Sequence, residues 1–489
     1  MGRKYCVRFI NSAPEARGSP SAAADASGPE RAADSKPGPA APGQSRQIIR
    51  SRFGCAECRN RHVKCDEAFP VCQRCHRRGT VCRPRARPLG WRTEIPWLAN
   101  PGLNPPWKTR PNGRLLQFWM EIASHILTMS PDHNPLSFPL IPLLAESPSL
   151  LHAVQSVSAG YEVFFQQSSL DLCLTERGLA LEFVRKELQE HTAGSPISPA
   201  SVLSVFVLGI SASWVETTPT TYGQEHLVAG RIMLDKLLRD EKTRSDPITT
   251  FLLGWYLHWD MACSLVASLD GLLPLDPPEM GLTVREMQSS FHPMTGFSTE
   301  LFYILSRLGR YCRQVCKHPQ QRDEILETAF HQQLISWQPK CEAQDHVDLN
   351  DAFKYHGLIT LGRVCGQASQ ASLDWTNAPG PTAEVEGEAK LREYTLKCLD
   401  ATSAVPLESL CTNYLAIPLL TAGSELTSGD LASREKVIVL FRALYSRNRL
   451  QVNIWAIELL DELWALRDLG INLSWMELQT QKQWVLQFG

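Results

Sequence analysis

From about Gly113 to the C-terminus, apolar side chains recur at three- and four-residue intervals, the spacing of one face of an α-helix. Ser147 followed by Pro148 reads as an N-cap with proline in the first helical position, ahead of SLLHAVQSVSAGYEVFF. In LDLCLTERGLALEFVRKELQ, residues Leu172, Leu179, Leu181 and Val184 recur at helical spacing. The segments ASVLSVFVLGISASWVE, GQEHLVAGRIMLDKLL, TTFLLGWYLHWDMACSLVAS and STELFYILSRLGRYCRQV continue the pattern. Later, DAFKYHGLITLGRVCGQAS and REKVIVLFRALYSRN do the same. No strictly alternating run is long enough to predict a sheet. The chain is therefore predicted to be mainly α, with residues 112–489 forming a large all-α body, as one domain or two packed halves, that has ample length for a buried core.

The most apolar stretch, ASVLSVFVLGISASWV, runs sixteen residues without a charge but includes four serines. It falls short of the roughly twenty apolar residues that a membrane span needs. The helix around Trp255 and Trp259 is interrupted by His258 and Asp260. Both read as buried helices, and no membrane partner is expected. At the other end, residues 11–45 are rich in Ala, Ser, Pro and Gly and have no aromatic residue. Such a segment cannot bury enough apolar area to offset its ordering entropy, so residues 1–50 are predicted to be a disordered tail. Residues 87–111 read as a Pro-rich linker, and no sustained heptad runs between Arg83 and Asn112 that would pair two chains.

Between tail and linker, residues 51–86 carry a different chemistry. Six cysteines fall as two copies of C-x2-C-x6-C, Cys55-Cys58-Cys65 and Cys72-Cys75-Cys82, offset by seventeen residues. Zinc takes four tetrahedral ligands and suits thiolates. One zinc would leave two cysteines unused, whereas two zincs are satisfied by six thiolates if two of them bridge. A two-metal cluster would hold together a segment too short to bury a core of its own. A disulfide knot fits less well. The opening MGRKYCVRFINSAPE lacks an apolar signal region, and the chain's 15 cysteines are an odd number, eight of them scattered downstream in apolar contexts.

Charge is divided in the same way. Arg46 to Arg92 holds thirteen Lys/Arg against three Asp/Glu, a formal +10, and two zincs on six thiolates would leave about +8. The whole chain is −2 and residues 1–45 are +2, so the remainder from Thr93 carries −14. A small cationic head is the footprint of a nucleic-acid binder, and its affinity should weaken steeply with salt. The acidic body should be repelled by DNA.

These intervals resemble those of the fungal zinc binuclear cluster transcription factors, and Pro70 matches the proline of that family's loop. The resemblance implies that Cys55 and Cys72 bridge two zinc ions, that Cys58 and Cys65 complete one site, and that Cys75 and Cys82 complete the other. It further implies two short helices related by a pseudo-two-fold axis, with the end of the first entering the major groove of double-stranded DNA at a CGG triplet. By position, Arg61 and His62 would reach base edges, and Arg59 and Lys64 would hold phosphates. His62 stands where the family often has lysine; a neutral imidazole still donates one hydrogen bond but lacks the fixed charge. Arg74, Arg77 and Arg78 would position the unit on the DNA backbone. Any one arginine taken alone is as readily a solvated surface charge. The run Arg83-Pro84-Arg85-Ala86-Arg87 suits nuclear import or phosphate clamping, and serves equally well as a plain linker.

The body is similar to the helical regulatory domain downstream of such clusters. The likeness lies in the order of SLLHAVQSVSA, LALEFVRKELQ, EHLVAGRIMLDKLL, FLLGWYLHWDMACSL and GFSTELFYILSRL. The RHVKCDE wording and the missing coiled coil are also similar to sterol-uptake-control regulators, which would imply a lipid-sensing pocket. The expectation is a nuclear DNA-binding regulator of RNA polymerase II genes, with transcription machinery as partner and the helical domain as the candidate homodimer surface. The alternatives are a lipid- or sterol-sensing regulator, and an enzyme or metabolite-binding body with a zinc interaction module. No G-x-S-x-G, H-E-x-x-H, P-loop or dinucleotide fingerprint appears, so no catalytic residue is assigned and an enzyme is not expected. Cys312 and Cys316, four apart on a helix, read as half-buried thiols, and Trp255, Tyr256 and Trp259 read as core.

Overall fold

The computed structural model describes residues 54–68, 71–83, 106–163, 169–190, 197–266, 273–275, 277–371 and 381–488. Of residues 367–371 and 381–386 it describes the helical backbone only. The expected N-terminal tail, Pro70, the Arg85–Arg87 run and most of the linker lie outside them. The described chain is helical throughout, and its only β pairing is an isolated bridge between His292 and Gly296.

Two short helices, α1 (Ala56–Asn60) and α2 (Gln73–Arg78), form the cysteine module. The body begins in earnest with α3 (Pro148–Val163), where Ser147 Oγ accepts the Leu150 N–H at 3.3 Å, the cap its sequence predicts. Helix α4 (Ser169–Glu190) folds back on α3 as a hairpin, and α5 (Pro199–Ile210) and α6 (Gln224–Arg239) follow. Helix α7 (Pro247–Ser264) runs through the middle of the body and packs on α5, α6 and α8 (Thr299–Lys317). Then come α9 (Gln344–Ala371), α10 (Pro381–Ala404), α11 (Ala416–Ser424), α12 (Leu431–Asn448) and α13 (Val452–Asp468).

One continuous apolar core links these helices. Phe206 of α5 meets Trp255 and Trp259 of α7 edge-on at centroid distances of 5.6 and 5.7 Å, so the aromatic cluster is packing. The acidic residue within α7 is satisfied internally: Asp260 accepts from the Tyr256 hydroxyl at 3.0 Å and from the Arg310 guanidinium. No described helix is long and apolar enough to cross a membrane. The predicted helix over 200–216 stops at Ile210. Ser211 Oγ donates to Val207 C=O at 2.6 Å, and a turn with Ser213 follows, because serine hydroxyls compete with the helical ladder.

Candidate metal centre and nucleic-acid interface

Each C-x2-C motif starts its helix by the same device. Cys55 Sγ accepts the Cys58 N–H at 3.3 Å, and Cys72 Sγ accepts the Cys75 N–H at 3.4 Å, so the first cysteine of each pair is an N-cap. Each helix also ends in the same turn. Val63 N–H donates to Cys58 C=O and His62 N–H to Arg59 C=O; seventeen residues on, Thr80 donates to Cys75 and Gly79 to His76. Both are Schellman-type ends, with a left-handed residue at the corner: His62 at φ 55° and Gly79 at φ 59°.

This folding draws all six sulfurs into one buried cluster, against which Val71 packs. Cys55 Sγ lies 3.8 Å from Cys72 and 3.6 Å from Cys75, and Cys58 Sγ lies 3.7 Å from Cys72. Two tetrads result, Cys55-Cys58-Cys65-Cys72 and Cys55-Cys72-Cys75-Cys82. Within each, the sulfurs lie within 4.8 Å of one another, and Cys55 and Cys72 belong to both. Burial pushes the Cys58 and Cys82 thiols far up and that of Cys75 up to about 12. Cations placed among the sulfurs would reverse that preference, because a bound metal deprotonates its thiol ligands. The donor set is soft, dry and tetrahedrally sized, and it fits two zinc ions.

The loop between the halves is held by Asp66, whose Oδ1 accepts from Ala68 N–H at 3.0 Å and Gln73 N–H at 3.2 Å. Burial opposes ionisation there, but these backbone amides win and hold the carboxyl below its usual range. Arg59, Arg61, His62 and Lys64 are all exposed along one stretch, as are Arg74, Arg77 and Arg78 on the second helix. Arg61 is 42% exposed and lies 3.8 Å from Glu57, a solvent-screened pair that leaves the guanidinium available to a ligand.

The module meets the body through Cys82 and Gly79. Cys82 N–H donates to Ser446 Oγ at 2.9 Å, and Arg449 Nη1 donates to Cys82 C=O at 2.6 Å. Gly79 is buried under α12, where an added Cβ would lie 2.5 Å from Val439 Cγ1. The seventeen-residue offset aligns Gly79 with His62, and that mismatch is the one local hint.

Elsewhere, Cys312 is fully buried and Cys316 exposed, rather than both half-buried, because the helix turns one thiol into the core and the other outward; neither belongs to a metal-sized group among the described residues. Asp345, His346 and Cys411 bring ligand atoms within 4.8 Å, but Ser409 Oγ already donates to the Asp345 carboxylate at 2.6 Å. An internal cavity beside His258 and Tyr414 is about 30 Å³, room for one water. A larger hollow of about 600 Å³ lies between Tyr222, Val266, Arg313, Met476 and Trp484.

Residues 53–92 match the fungal Zn(2)-Cys(6) binuclear cluster domain, and residues 114–489 match the fungal specific transcription factor domain. Over 33 residues the chain is 61% identical to the Zn(2)-C6 fungal-type transcription factor afumD of Aspergillus fumigatus. Over 33 residues it is 52% identical to the adhesion and hyphal regulator 1 of Candida albicans. Each match covers 7% of this chain and only 9% and 5% of those relatives. No solved structure matches the chain. Neither matching family is an enzyme family. The chain thus belongs to the fungal-specific transcription factor domain family and carries a two-zinc, six-cysteine cluster domain, the equipment of a DNA-binding transcription regulator.

Proposed function

We propose that this chain is a nuclear, sequence-specific regulator of RNA polymerase II genes that reads CGG-type triplets. The carrying observation is the pair of sulfur tetrads sharing Cys55 and Cys72, with the exposed run Arg59 to Lys64 emerging between two of the ligands. In this reading the six cysteines hold two zincs, with Cys55 and Cys72 bridging. Bound zinc would cross-link the two helices through their shared sulfurs and so fix their mutual orientation. Arg61 can bond guanine O6 and N7 in bidentate fashion, and the corner residue His62 projects beside it. Arg59, Lys64, Arg74, Arg77 and Arg78 hold phosphates and set register without reading sequence. The body recruits transcription machinery or pairs two chains.

A gel-shift titration of the zinc-loaded chain tests this reading. Binding to CGG duplexes should exceed binding to scrambled duplexes at physiological salt, and equal binding to both would refute it. A second reading, that the body senses a lipid-type ligand as the likeness to sterol-uptake regulators suggests, has one observation in its favour. The 600 Å³ hollow is of ligand size and sets Val266, Met476 and Trp484 against Arg313. Thermal shifts of the full chain with sterols and fatty acids test it; no stabilisation by any of them removes its support.

A further inference from the structure

The hydrogen bonds to sulfur in the first tetrad come from within the module: Cys58 N–H to Cys55 and Glu67 N–H to Cys65. In the second tetrad Cys75 N–H donates to Cys72 and Cys72 N–H to Cys82, again from within the module, but the Cys82 backbone is also tied to the body at both ends of its residue. Ser446 Oγ donates to Arg442 C=O at 2.7 Å, which leaves its lone pairs to accept the Cys82 N–H. Arg449 holds the Cys82 carbonyl from the other side. With amide and carbonyl both held, the Cα–Cβ direction of Cys82 is fixed, and the Cys72 N–H, donating to Cys82 Sγ at 3.5 Å, selects where its sulfur sits.

The body invests in this contact. Arg449 is a non-glycine residue at φ 62°, a strained left-handed conformation that persists only where the surrounding structure holds it. Its guanidinium is buried, which pulls it below the usual arginine range. The corner between α12 and α13 is pinned by Asn448, whose Oδ1 accepts from Leu450 N–H and Asn453 Nδ2, both at 3.1 Å. Val439, two turns before Ser446 on α12, fills the space that Gly79 leaves open.

We infer that Ser446 and Arg449 are positioning residues for the second zinc site, so that docking of the module on the body and retention of its zinc are linked. The inference rests on the proposed reading that the six cysteines hold two zincs. Groups that orient metal ligands from outside the coordination shell typically change metal affinity 10–100-fold when removed. Linkage is reciprocal. A partner or ligand that shifts the α12–α13 corner changes zinc retention, and loss of zinc loosens the module from the body.

The test is competition for zinc between the full-length, zinc-loaded chain and a chromophoric chelator, with hydrogen exchange read in parallel. The double variant Ser446→Ala/Arg449→Ala should give up zinc at 10–100-fold lower chelator and lose protection at the Cys82 amide, while the Val63 amide keeps its own. Ser446→Thr and Arg449→Lys, which keep the acceptor and the donor, should restore most of the difference. Arg392→Ala breaks an ion pair with Asp430 elsewhere on the body and should leave the competition curve in place. A double variant with wild-type competition, or an Arg392→Ala shift of equal size, overturns the inference while the two-zinc reading stands. A wild-type chain without zinc overturns both.

Discussion

Arg59 to Val63 and His76 to Thr80 trace the same helix-ending turn seventeen residues apart, yet the left-handed corner is His62 in one and Gly79 in the other. The cysteine ligands and caps are matched, so the metal-binding geometry does not explain the difference. The neighbours do. His62 is exposed among Arg61, Val63 and Lys64, whereas Gly79 lies under Val439 with no room for a Cβ. The first half accepts the cost of a side chain at the corner, about 1–2 kcal/mol relative to glycine, and gains an exposed polar group beside Arg61. The second half gives up that side chain and gains a partner surface. A duplicated metal-binding unit has thus been divided into an outward half and a docked half.

The largest expected effect falls on what the halves share. Cys72→Ala removes a sulfur common to both tetrads, so both zincs and all CGG binding should be lost, as elemental analysis and gel shift would record. Cys65→Ala touches one tetrad and should leave part of the metal. Acid should weaken the body. Burial depresses His258 and His356 to about 3 and His292 to about 4. Unfolded imidazoles protonate near 6.5, so the unfolded state binds more protons below that pH, and stability falls as pH drops until about 3–4. Between pH 7.5 and 5.5 the three should together remove on the order of 4 kcal/mol by proton linkage. Tryptophan-monitored melting of the full chain checks this.

On the outward half, Arg61→Ala should cost about 1–3 kcal/mol on the preferred duplex and flatten discrimination among sequences. Arg77→Ala should weaken all duplexes alike and lower the slope of log affinity against log salt by about 1. The smallest effects come from exchanging the corners. Gly79→Ala should cost about 1–2 kcal/mol of docking, through left-handed strain and the push on Val439, seen as lost protection at the Cys82 amide. His62→Gly should leave thermal stability equal or slightly higher while weakening CGG binding. If Gly79→Ala proves silent, the docked half is not docked.

Much of this was legible in the sequence because the signals were local. The Cys spacing named the sulfurs that come together, and Ser147-Pro148 and the helical periodicity placed the helices of the body. The periodicity over 200–216 predicts a longer helix than forms, because it continues past Ile210 while Ser211 turns its hydroxyl onto the backbone. The docking of Cys82 on Ser446 joins residues 364 apart and depends on tertiary placement that no local pattern encodes. The left-handed Arg449 is likewise invisible, since nothing about an arginine after Asn448 announces a conformation that packing imposes.

The most direct test of the central claim is the zinc content of purified full-length protein, measured with CGG-duplex binding on the same sample before and after chelation. Two zinc atoms per chain, with binding lost when they are removed, is the predicted result. Markedly fewer than two, or duplex binding that survives their removal, would contradict it.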